Sequence, residues 1–146
     1  HVFDGLYRAG KLELELVPQG NLAERIRAAG AGIGAFFTPT GFGTELAKGK
    51  ETRMLNGRHY VLEYPIHADV ALIKAERADR WGNLVYRKAG RNFGPVMATA
   101  AKLTIAQVFE LASLGELDPE LVVTPGIYVK RVVRVDRQTE RGRIAA

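Results

Sequence analysis

Polar and apolar residues alternate from Lys11 to Leu16, with Val17 extending the apolar end (Lys-Leu-Glu-Leu-Glu-Leu-Val), which predicts a β-strand over 11–17 with one buried face. The alternation ends at Pro18-Gln19-Gly20, and a helical period takes over. Asn21 is placed to cap that helix, and Glu24, three residues on, completes a capping box. Leu22, Ile26 and the alanines carry the apolar stripe to Gly30 as its stop. Ahead of the strand, Val2, Phe3, Leu6 and Tyr7 share one helical face, so the sequence begins inside a helix.

Beyond Gly30 the periodicity dissolves into a loop with five glycines between Gly30 and Gly43, followed by a short helical turn at 45–48. Asn56-Gly57 predicts a hairpin with arms at 52–55 and 58–63, since both central residues of a type I′ turn take positive φ. Residues 69–75 are short and mostly apolar, as in a strand covered on both faces. A turn at 79–83 and a strand at 84–86 come next, then a helix over 93–101 capped by Asn92. A strand at 103–108, a helical turn opened by Asp118-Pro119 and a closing strand at 127–135 complete the order. This alternation predicts an α/β layered domain with a largely parallel, mixed sheet. Residues 1–146 are expected as a single domain, with 136–146 as a disordered tail.

Composition narrows the function more than the fold. There is no cysteine, which removes disulfides, thiolate metal sites and a cysteine nucleophile, and fits a cytoplasmic location. No apolar run approaches the ~20 residues that span a bilayer, so no membrane association is expected. The net charge of +5 gathers at Lys130, Arg131, Arg134, Arg137, Arg141 and Arg143. No aromatic residues alternate with these cations as a base-stacking surface requires, so a solvated tail is expected and nucleic acid is not.

The glycine loop lacks the strand-before, helix-after context of a dinucleotide fingerprint, and 43–50 lacks the ending of a phosphate-binding loop. His59 and His67 have no second ligand at metal spacing, and Ser113, the single serine, sits in no nucleophile elbow. Trp81 is expected to cover an apolar edge, and Phe36, Phe37 and Phe42 are read as core. Gln19 is different. It follows the predicted strand, where ligands collect in open α/β sheets, and Gly20 beside it would let a substrate approach. A turn glutamine in water is the other reading, and Asn92 is likewise either a helix cap or a substrate contact.

Several stretches, taken in order, resemble the first subunit of the family I CoA-transferases. They are Leu14-Glu15-Leu16-Val17-Pro18-Gln19-Gly20, Leu22-Ala23-Glu24-Arg25-Ile26-Arg27, the 30–43 loop, Asp69-Val70-Ala71-Leu72-Ile73-Lys74-Ala75, Gly82-Asn83-Leu84, Arg91-Asn92-Phe93 and Thr124-Pro125-Gly126. Segments 2–11 and 79–88 look most like the 3-oxoadipate branch, with the acetoacetate and succinyl-CoA:3-oxoacid enzymes close behind. The resemblance implies a CoA-transferase-type α/β fold and movement of CoA from succinyl-CoA to a 3-oxoacid, 3-oxoadipate first. It implies a ping-pong reaction through a glutamyl-CoA thioester. The nucleophilic glutamate would lie on a partner, the second CoA-transferase subunit, in a heterodimer or heterotetramer, so no catalytic residue is expected in this chain. CoA enters as a thioester substrate, and no permanently bound cofactor and no metal are expected. Gln19 and Gly20 would hold the substrate carbonyl or oxyanion, Gly32, Gly34, Thr38 and Gly41 would shape the acyl pocket, and Asn92 would touch substrate. The family's amino-terminal Gly-Gly-Phe-Gly-like loop would lie upstream of His1, so the chain is expected to be truncated there and inactive alone. A sugar-phosphate isomerase-like enzyme and a non-catalytic basic binding module are the alternatives.

Overall fold

The computed structural model describes residues 2–137. Its chain divides into two compact units, one holding residues up to 22 together with 37–63, the other holding 23–36 together with the chain from 64 onward. The expectation for the tail lies, from 138 on, outside the described residues.

In the first unit, helix α1 (Val2–Arg8) forms as its periodicity predicts, with Arg8 on Asp4 at 2.9 Å and the Phe3 and Tyr7 rings stacked at 6.1 Å. None of its residues is buried. The strand expected at 11–17 does not form, and Leu14 and Leu16 are exposed. Alternation states which face a strand would bury, but the strand itself needs a neighbouring backbone to bond. Among the described residues no strand pairs with this segment. The hairpin follows prediction to the residue: β2 (Thr52–Leu55) pairs antiparallel with β3 (Arg58–Glu63), and Asn56 and Gly57 take φ of 49° and 77°. Strand β1 (Phe36–Thr38) joins the same sheet, in the order β1-β3-β2.

The second unit carries the parallel sheet. Strand β4 (Ala68–Lys74) pairs with β7 (Ala101–Val108), and β7 pairs with β9 (Arg131–Arg134), all parallel. Helix α3 (Gly94–Ala100) lies in the β4-to-β7 connection and packs on both strands. A small sheet beside it has β5 (Arg77–Ala78) between β6 (Leu84–Val85) and β8 (Glu110–Leu111). The core is mostly small: Ala71, Ile73, Ala75, Ala78, Leu84, Ala98, Ala106, Val108 and Val129, with Tyr86 and Met97 packed against it. Small side chains let helix and sheet backbones approach closely.

Several expectations change here. β4 is covered on one face, through Ala71 and Ile73, while Val70 and Leu72 on the other are exposed, because α3 lies on one side of the sheet. The closing strand runs 131–134 rather than 127–135, because a 3₁₀ turn, Gly126–Tyr128, takes up its start. Trp81, expected to cover an apolar edge, is 66% exposed. The turn that carries it is fixed by Asp79, whose buried carboxylate accepts from the Trp81 and Asn83 N–H groups at 2.9 and 3.0 Å. Asn83 in turn accepts from the Gly126 N–H at 2.8 Å.

Candidate functional site

Helix α2 (Gln19–Gly30) starts two residues earlier than its predicted cap. The Pro18 carbonyl accepts the Leu22 N–H at 2.9 Å, and a proline just before a helix forfeits only an N–H that would lack a partner there. Asn21 therefore lies inside the first turn and caps nothing, and the predicted box with Glu24 is absent. Glu24 instead binds Arg27 at 2.6 and 2.9 Å, and that hydrogen bond holds its carboxyl below the ordinary range.

Asn21 turns inward, and its Nδ2 donates to Glu63 Oε1 at 3.4 Å. Glu63 ends β3 on the same face as Val61, and both it and Asn21 are 4% exposed. Lys50 Nζ reaches the same carboxylate at 2.8 Å. This cluster escaped the sequence reading, although the period-2 parity of Glu63 with Val61 marked it as inward-facing.

Gln19 and Gly20 stand exposed on this first turn, at a helix start rather than at the strand end predicted for them. A Cβ on Gly20 would meet nothing within 4 Å, and the same holds for Gly34. Neither has positive φ. Glycine in a helix is unfavourable by roughly 0.5–1 kcal/mol relative to alanine, so neither packing nor dihedral angle explains Gly20. Gly30 and Gly32 do have structural reasons. A Cβ on Gly30 would fall 1.9 Å from Thr99 Oγ1. Gly32, at φ 71°, is the actual helix stop, with the Ile33 N–H on the Ala28 carbonyl at 2.9 Å closing a Schellman motif.

Thr38 and Gly41 make local bonds: Thr38 Oγ1 accepts the Thr40 N–H at 3.3 Å, and the Gly41 carbonyl accepts the Thr44 hydroxyl at 2.7 Å. Phe42 is not core. It is 41% exposed and stacks on His59, ring centroids 4.4 Å apart, because the loop delivers it to the hairpin arm. Phe37 lies under the Arg53 guanidinium at 4.7 Å. Asn92 does not cap α3. It ends a 3₁₀ turn, Lys88–Arg91, and α3 starts from Phe93 with no side-chain cap and Pro95 in its first turn. Gln19, Gly20, Thr38 and Gly41 thus belong to the first unit, and Gly32, Gly34 and Asn92 to the second.

The second unit also holds an open cleft of about 430 Å³, lined by Arg27, Gly30, Pro95, Thr99, Thr124 and Tyr128 among others. Beneath it Tyr86 bonds the Thr124 hydroxyl at 2.8 Å, and burial pushes its phenol up from its ordinary value against the pull of that bond. Among the described residues no group of three or more His, Cys, Asp or Glu could hold a metal, and no helix is long and apolar enough to cross a membrane. The chemistry on offer at α2 is an amide donor beside open backbone, suited to holding a carbonyl oxygen.

A family model described as Coenzyme A transferase matches residues 1–135. The chain is 73% identical over 135 residues to the first subunit of 3-oxoadipate CoA-transferase from Pseudomonas putida, covering 92% of this chain and 58% of that relative. It is 56% identical to the first subunit of succinyl-CoA:3-ketoacid coenzyme A transferase from Xanthomonas campestris pv. campestris, covering 95% and 60%. The chain therefore spans about three fifths of the length of these curated relatives. Among solved structures it superposes on glutaconate coenzyme A-transferase from Acidaminococcus fermentans with a TM-score of 0.81 at 25% identity, covering 92% of this chain and 49% of that one.

Proposed function

The chain belongs to the coenzyme A transferase family, and on that premise we propose that it is part of the first subunit of an enzyme moving CoA from succinyl-CoA to 3-oxoadipate. The nucleophilic glutamate comes from the partner, the second subunit, and CoA passes through a glutamyl thioester. The observation that carries a site on this chain is the first turn of α2, where Gln19 stands exposed beside a glycine that neither packing nor dihedral angle requires. Gln19 donates its amide to the thioester carbonyl, and the bond strengthens as that oxygen gains charge. Thr38 and Gly41, in the same unit as Gln19, border the acyl group. The 73% identity to the pseudomonad subunit supports 3-oxoadipate as acceptor. The 56% identity to the Xanthomonas subunit supports another 3-ketoacid as the second candidate, for which acetoacetate is the test substrate. A cytoplasmic location accords with a chain that has no cysteine.

The test combines the full-length first subunit with its partner and measures CoA transfer from succinyl-CoA to each acid. Expected is a kcat/KM for 3-oxoadipate above that for acetoacetate, and no transfer by either protein alone. The reverse order would replace the acceptor, and full activity of the isolated first subunit would overturn the shared site. In the same complex Gln19→Ala should lower kcat by about 10²-fold or more with folding barely disturbed. Near-normal turnover would remove Gln19 from the reaction.

A further inference from the structure

The first unit has one buried apolar residue, Val61, among those described. Its two other buried residues are Asn21 and Glu63, joined to each other and to Lys50. No apolar side chain is thus fully buried where α2 begins, and a glycine in its first turn removes a further constraint. The helix start is held instead by a carboxylate at the base of the hairpin. Glu63 Oε1 accepts from the Asn21 amide at 3.4 Å and from the Lys50 ammonium at 2.8 Å, with the Glu63 side chain 5% and the Lys50 side chain 31% exposed. The Leu62 N–H on the Glu51 carbonyl, at 2.8 Å, ties the Lys50 segment to the strand that ends at Glu63.

We infer that the Lys50–Glu63 ion pair is a positioning device for the proposed transfer reaction, setting the first turn of α2 through Asn21 and so fixing where the Gln19 amide points. Two physical terms make it effective. The buried Glu63 carboxylate holds the first turn of α2 through the Asn21 amide at 3.4 Å. Lys50, bonded to Glu63 Oε1 at 2.8 Å, fixes which oxygen faces Asn21. Asn21 is two residues from Gln19 on the same turn, so a shift of one moves the other. Neither Lys50 nor Glu63 touches substrate in this arrangement, and both act through Gln19. The inference rests on the reading of Gln19 as a carbonyl donor, and a misplacement of about 1 Å in such a donor is enough to lower turnover strongly.

The experiment uses the intact complex of the full-length first subunit with its partner, with assembly checked by sedimentation. Glu63→Gln keeps the size and one acceptor oxygen but removes the charge. Lys50→Met removes the cation from a position with room for a neutral chain. Each should lower kcat roughly tenfold or more while the KM for succinyl-CoA stays within about twofold, and Lys50→Arg should restore most of the loss. Introduced into Gln19→Ala, the same changes should have little further effect, because the donor they position is gone. A merely structural pair would leave kcat per assembled complex unchanged, or would add its full effect to that of Gln19→Ala. Either result overturns the inference, as does failure of both variants to assemble. If Gln19→Ala itself leaves turnover normal, the reading of Gln19 fails first and the inference with it. If Gln19→Ala is impaired and the pair variants are not, the inference fails alone.

Discussion

The two units are built in different ways. The second buries a cluster of alanines with Ile73, Leu84, Val108 and Val129 between a parallel sheet and α3. The first buries Asn21, Val61 and Glu63 among its described residues, two of them polar, and leaves every residue of β2 and α1 outside its core. One unit is shaped by apolar packing, the other by a hairpin turn, an ion pair and a helix start. The proposed carbonyl-holding amide sits in the second kind of structure. A packed core tolerates little displacement, whereas polar contacts fix a few atoms and leave the surface around them open. A surface of that kind can receive an acyl chain and a partner protein, where a filled core has no room for either.

The sharpest way to break this contrast is to remove core from the packed unit. Leu84 is fully buried, and its backbone exchanges hydrogen bonds with Val123 and Thr124. Leu84→Ala should destabilise the protein by about 2–5 kcal/mol, the range for a leucine cavity that cannot collapse. Chemical denaturation of wild type and variant measures it. Amide hydrogen exchange adds the regional answer, since β4 and β7 should carry the slowest amides and should lose most protection in the variant. A loss below about 1 kcal/mol would mean that the alanine-rich cluster is not what holds this unit together.

How far the sequence revealed the fold does not follow that division. The hairpin is legible to the residue because Asn56-Gly57 encodes its own geometry, and β4 and β7 are legible as strands from their short apolar runs, although β4 buries one face only and leaves Val70 and Leu72 exposed. Short elements such as β5, two residues long, carry no period to read. The strand expected at 11–17 failed because its pattern is local and its partner is not. The α2 start was misplaced because Asn21 is a good cap by type, yet its side chain bonds Glu63, 42 residues away. Gln19 and Gly20 are visible as candidates, and the cluster behind them is not, because parity with Val61 marks Glu63 as inward-facing but does not name Lys50, 13 residues away, as its partner.

A smaller effect tests one polar contact within the packed unit. Tyr86 bonds Thr124, which is 1% exposed, so Tyr86→Phe leaves a buried hydroxyl without that partner and should lose about 1–2 kcal/mol. The pH dependence gives a second readout. Burial raises the Tyr86 pKa above its ordinary value of 10.0, partly offset by the Thr124 bond, so the fold favours the neutral phenol. That contribution is complete below about pH 10 and is lost as pH rises through the raised folded value. Wild type should therefore weaken above pH 10 more steeply than Tyr86→Phe. Parallel alkaline profiles would mean that Tyr86 ionises as freely folded as unfolded.

The smallest expected effect sharpens the contrast from the other side. Met54 lies on β2, where all four residues are exposed, and is itself 60% exposed opposite His59. If the first unit draws little stability from apolar packing, Met54→Thr removes a side chain that covers nothing buried. The replacement suits a strand, since β-branched residues fit the pleated surface. The expected change is within about 0.5 kcal/mol, the usual range for a surface position away from caps, cavities and networks. The hairpin register should persist, because Asn56 and Gly57 set it through their positive φ rather than through side-chain packing. Denaturation of the isolated protein at two concentrations measures the stability change. A loss above 1 kcal/mol at both concentrations would show that β2 supports a packed layer within the chain, and the two units would then differ in degree rather than in kind. A loss that appears only at the higher concentration would place Met54 in a contact between copies of the chain.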